Sequence, residues 1–91
     1  MKDSLYIKTQ LDTILGTIPE QSLELRDVFK AKALLLTWLY NDGNCRTEDE
    51  IKLKLQTSEE RQLALSFMGQ TDPILEKTIN MEIRTLKDIL D

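Results

Sequence analysis

The stretch Leu25-Arg26-Asp27-Val28-Phe29-Lys30-Ala31-Lys32-Ala33-Leu34-Leu35-Leu36-Thr37-Trp38-Leu39-Tyr40 decides the architecture. With successive residues placed about 100° apart around a helix axis, Leu25, Val28, Phe29, Leu35, Leu36 and Leu39 gather on one face, the side a bundle buries. Ala31, Leu34 and Trp38 form a second stripe on the opposite side. A helix that is apolar nearly all round its C-terminal half either lies at the centre of a bundle or carries an interface. The longest apolar run, Ala33 to Tyr40 interrupted by Thr37, is far too short to span a bilayer.

Working outward, turn and cap signals divide the rest of the chain into helices. Upstream, Ile7, Leu11 and Ile14 recur at helical spacing and Gly16 follows at the place of a left-handed cap, so a helix is predicted over 3–15. Thr17 and Glu20 stand three apart with Pro19 between them, a reciprocal capping pattern that predicts a long helix over 18–40. Asn41-Asp42-Gly43-Asn44 is a strong turn signal, because Gly and Asn tolerate positive φ. Thr47 with Glu50 opens a helix over 48–56, and Thr57 with Glu60 repeats the spacing to open another over 58–68, ended by Gly69. Asp72-Pro73 starts the last helix, 73–90, whose Leu75, Ile79, Ile83, Leu86 and Leu90 make one apolar stripe. No window alternates long enough to make a half-buried strand. Leu53 and Leu55 come nearest, and the capping signal ahead of them favours helix. The predicted fold is all-α: a single domain over 1–91, a compact bundle of about five helices with no sheet and the second helix central. Lys32 and Glu82 fall inside apolar stripes, and a Lys32–Glu82 pair across packed helices is the arrangement that relieves both; otherwise the long stems reach water.

Composition removes most chemistry. The 91 residues hold 12 basic and 16 acidic side chains, net −4, with the acids spread along the chain. No basic stripe is visible of the kind that displaces counterions from a phosphate backbone, which argues against nucleic acid. Histidine is absent, and with it the commonest proton-transfer group and metal ligand. Cys45, the one cysteine, has no His to activate it and no second thiol to chelate or oxidise with, so a structural role in a reducing cytoplasm fits it. The start, Met1 to Tyr6, lacks the apolar run of a signal peptide, which predicts a soluble, cytoplasmic protein without membrane contact. Asn41-Asp42-Gly43-Asn44 lies between helices as a calcium loop does, but the alignment puts Tyr40 at the first ligand position and Ile51 where a bidentate glutamate belongs. The acids Glu48-Asp49-Glu50 and Glu59-Glu60 occupy first turns, where carboxylates complement the helix dipole. No metal, cofactor or catalytic residue is expected.

The segment 31–68, by its order of long helix, turn, short helix, tight turn and helix, resembles a helix-turn-helix DNA-binding unit. The resemblance implies that the helix beginning Ser58-Glu59-Glu60-Arg61-Gln62 enters the groove, where its two carboxylates meet repulsion. What remains is shape and apolar surface, and the function expected from the sequence is a non-catalytic protein-binding module: a small regulator, adaptor or inhibitor acting on another protein or a second copy of itself. Its predicted contacts are Ala31, Leu34 and Trp38, with Tyr6 as an aromatic lying off the main stripe of the first helix.

Overall fold

The helix boundaries follow from which hydroxyl or carboxylate wins each unpaired backbone donor. The computed structural model describes residues 1–20, 22–41, 44–69 and 72–91, with the main chain alone at Glu20, Glu24 and Asn41. Helix α1, Ser4–Thr17, starts where the Asp3 carboxylate accepts the Tyr6 amide at 2.9 Å. It runs through Gly16, which is not its left-handed cap. Thr17 is the last residue of α1, with its hydroxyl donating to the Ile14 carbonyl at 3.0 Å, and so does not have the extended backbone of an N-cap. A 3₁₀ turn over Ile18–Glu20 accommodates Pro19, and α2, Leu23–Leu39, begins only after Ser22, whose hydroxyl accepts the Leu25 amide at 3.4 Å. The long helix thus starts five residues later than the Thr17–Glu20 spacing predicts, with the extended Ser22 at the cap position. Arg26 donates to the Pro19 carbonyl at 2.9 Å and ties the turn to α2.

Tyr40 leaves α2 in an extended conformation, and the segment closes with a two-residue antiparallel ladder, β1 (Tyr40–Asn41) on β2 (Asn44–Cys45). Asp42 and Gly43, the centre of the predicted turn and of the calcium-loop comparison, lie outside the described residues. The paired Tyr40 and Cys45 pack against the core, and the ladder acts as a clasp, continued by the Arg46 amide donating to the Leu39 carbonyl at 2.9 Å.

Helix α3, Glu48–Met68, corrects the sequence reading most. Its start is the predicted capping box: the Thr47 hydroxyl accepts the Glu50 amide at 3.2 Å and the Glu50 carboxylate accepts the Thr47 amide at 3.1 Å. The second box, at Thr57 and Glu60, does not form. The Thr57 hydroxyl donates back to the Leu53 carbonyl at 3.1 Å, and Ser58 is buried against α4, so the helix passes through without a break. Segments 48–56 and 58–68 are one helix, and the described residues hold four α-helices where about five were expected. Gly69 ends α3 at φ 69°, as predicted. Asp72 accepts the Ile74 amide at 2.9 Å and Pro73 occupies the first turn of α4, Pro73–Leu90.

The helices pack in the order α1, α2, α4, α3, each against its neighbour, with α2 and α4 at the centre. Ile7 and Ile14 of α1, Leu36 and Leu39 of α2, Ile51 of α3, and Leu86 and Ile89 of α4 make the core. The chain's start is fastened to the end of α4 by the Lys2 amide donating to the Ile89 carbonyl at 2.7 Å. The molecule is only 19 Å across its shortest axis, about two helix diameters, so a central helix is covered on some sides and open on others. No helix among the described residues is long and apolar enough to cross a membrane.

Candidate protein-binding surface

Thin packing decides the fate of the two α2 stripes. Val28, Leu35, Leu36 and Leu39 are buried, Phe29 is half-buried and Leu25 sits exposed at the rim. On the other stripe Leu34 is 72% exposed, whereas Leu36, two residues away, is fully buried. Ala31 and Trp38 are half-buried. These three residues line one shallow groove of about 230 Å³ with Leu35 as its floor and the charged Lys54 of α3 and Glu82 of α4 at its edges.

Trp38 is held from several sides. The Arg46 guanidinium carbon lies 4.8 Å from its ring centroid and the Lys54 ammonium 5.8 Å, both within range for attraction to the ring face. Arg46 also donates from Nε to the Trp38 carbonyl at 2.9 Å and pairs with Glu50 at 3.4 Å. Because the Arg46 guanidinium and the Thr47 hydroxyl and amide surround it, the Glu50 carboxyl is held below its ordinary pKa, with the Thr47 main-chain hydrogen bond the largest cause. Trp38 is therefore a fixed wall that packs against the core, and Leu34 is the projecting member of the stripe.

Glu82 does not pair with Lys32. It accepts from the Ser58 hydroxyl at 3.2 Å and meets Arg61 at 3.8 Å, while Lys32 faces the opposite side of the α2–α4 seam beside Arg84. The packed seam stands between the two charges.

Tyr6 lies outside the groove. Its hydroxyl donates to Asp88 Oδ2 at 2.5 Å and the Lys2 ammonium sits 5.4 Å from its ring centroid, so its polar end is used to join α1 to α4. Donating that hydrogen bond raises the phenol pKa above its ordinary value. Cys45 is half-buried and lines a separate shallow cleft with Trp38, Arg46 and Glu50. Among the described residues, no three His, Cys, Asp or Glu side chains come together as a metal site.

Two surface features escape the sequence reading. The outer side of α3 carries Leu53, Leu63 and Phe67 exposed to solvent, Phe67 by 83%. That these residues share one helix is legible only once 48–68 is read as continuous. The second is a trough along α2 and α4, lined by Lys32 and Arg84 above an apolar floor. The turn that the helix-turn-helix resemblance requires between residues 56 and 58 is absent, since α3 is continuous there. Comparison of the chain with protein-family models, with curated proteins and with solved structures finds no match.

Proposed function

We propose that the protein is a non-catalytic binding module whose Ala31–Leu34–Trp38 face takes an amphipathic helix of another polypeptide. The observation that carries this is Leu34, a large aliphatic side chain 72% exposed in the middle of an otherwise core-forming run. A small domain gains nothing in folding from such a residue, and exposed apolar surface beside a tryptophan marks a contact site. Lys54 and Glu82 at the edges give the groove a polar rim with one charge of each sign. Lys54 selects an incoming helix that carries an acid toward it, since Glu82 is already engaged by Ser58 and Arg61.

The test uses Leu34→Asp, because Trp38 also packs against the core and its replacement confounds binding with folding. Wild type and Leu34→Asp, matched in helicity by circular dichroism, are used as baits in extract of the source cell and the captured polypeptides compared by mass spectrometry. A polypeptide held by wild type alone is then purified and titrated against both; loss of one central anchor costs about 2 kcal/mol or more, roughly thirty-fold in affinity. Identical captures on the two baits refute the assignment.

A further inference from the structure

The trough and the α3 ridge are complementary in chemistry and in length. The trough pairs α2 residues 25–32 with α4 residues 77–85, then Leu36 with Asp88 and Ile89, so its two walls ascend together as parallel helices. Its main cleft, about 370 Å³, has Leu25, Val28, Phe29 and Met81 as apolar lining, and among the described residues the charged side chains that line it are basic: Lys32, Lys77 and Arg84. In a chain of net charge −4, three of twelve cations thus face one apolar cleft. Among the described residues the acid of the adjoining cleft is Asp88, which accepts the Tyr6 hydroxyl.

The outer face of α3 is the counterpart. Leu63 and Phe67 are exposed, and Glu60, also exposed, lies seven residues before Phe67 and therefore on the same side of the helix. Seven residues of helix rise about 10 Å. On α2 the same separation runs from Leu25, at the apolar end of the trough, to Lys32, at its cationic middle.

We propose that the α3 ridge of one copy seats in the α2–α4 trough of a second copy. The seated helix runs antiparallel to α2. Phe67 and Leu63 enter between Leu25, Phe29 and Met81, and Glu60 comes between Lys32 and Arg84. The ridge supplies the apolar area and Glu60 fixes the register, since a slip of one turn leaves its carboxylate on an apolar floor. Met81 suits such a site because its unbranched thioether adapts to an incoming ring. The contact joins two different surfaces, neither of which includes Leu34, so it stands or falls separately from the proposed partner face.

Sedimentation equilibrium of the full chain from micromolar to millimolar concentration tests it. The wild type self-associates. Lys32→Glu with Arg84→Glu, and separately Glu60→Lys, each weaken association by more than about ten-fold, because like charges then oppose one another. Mixing these two variants restores association, since the intact ridge of the first meets the intact trough of the second. Phe67→Asp, at a position too exposed to affect folding, abolishes association by itself, while Leu34→Asp leaves it unchanged. A wild type that stays monomeric throughout overturns the proposal, as does a mixture of the charge variants that fails to associate while both remain helical.

Discussion

Leu34 and Leu36 offer a direct measure of how the fold uses α2. They have the same side chain, lie two residues apart on one helix, and differ from 72% exposed to fully buried. Leu36→Ala removes buried methyl groups from a site packed among Ile7, Leu39, Leu86 and Ile89 and leaves a cavity. Core Leu→Ala replacements cost about 2–5 kcal/mol. A 91-residue domain has total stability of roughly 5–14 kcal/mol, so the variant loses a large part of it. Each kcal/mol shifts the melting temperature by about 4–8 °C at this size, which places Leu36→Ala about ten degrees or more below wild type. Leu34→Ala gives up little burial and stays within about 0.5 kcal/mol. Urea unfolding followed by helical ellipticity and by the fluorescence of Trp38 separates the two, with the midpoint moving for Leu36→Ala and the denaturant slope unchanged. Equal destabilisation by the two replacements refutes the reasoning, because Leu34 is then a core residue and the binding face built on it disappears.

Neither of the two described glycines has a neighbour within reach of an added Cβ, yet they respond oppositely to alanine. Gly16 lies inside α1 with open space around it, so Gly16→Ala raises stability by about 0.5–1 kcal/mol, whereas Gly69→Ala forces a Cβ into a left-handed residue and lowers it by about 1 kcal/mol; thermal melts of both decide. Thr47→Ala removes one half of the α3 capping box and costs about 1 kcal/mol in urea titration. The Glu50 carboxyl has a lowered pKa in the folded protein, so its stabilising contribution is present above the ordinary carboxylate range and is lost as pH falls through the folded value. The wild-type advantage over Glu50→Gln therefore shrinks on acidification, and an advantage independent of pH contradicts the assignment. The raised pKa of Tyr6 has the opposite sign: the Tyr6–Asp88 contribution is full below the phenol's ordinary pKa and fades as pH rises through the folded value, so wild type and Tyr6→Phe converge in melting temperature at high pH.

Local chemistry makes several elements legible in advance. Thr47 with Glu50, Gly69, and Asp72 with Pro73 act within one turn of helix, and each does in the structure what the spacing predicts. Local signals mislead where two partners compete. Thr57 has the same spacing to Glu60 as Thr47 has to Glu50, yet its hydroxyl satisfies Leu53 within an existing helix and Ser58 is drawn into the seam with α4. Thr17 is likewise inside a helix, as the last residue of α1, and the cap position falls to the extended Ser22.

The α2 pattern, by itself, determined that this chain folds as helices around an aliphatic core and that one of them carries more apolar surface than a single packed face can use. Periodicity reports how residues are arranged around one axis, and that is a property of the chain alone. Which stripe met another helix was settled by tertiary packing: α1 and α4 cover Leu36 and Leu39, while nothing in the two-layer arrangement of the described residues buries Leu34. The same packing parted Lys32 from Glu82, gave Glu82 to Ser58 and Arg61, and set Leu25, Lys32 and Arg84 along one trough. Those outcomes depend on how far apart helix axes lie and which sides they turn toward each other, and no one-dimensional spacing carries that information.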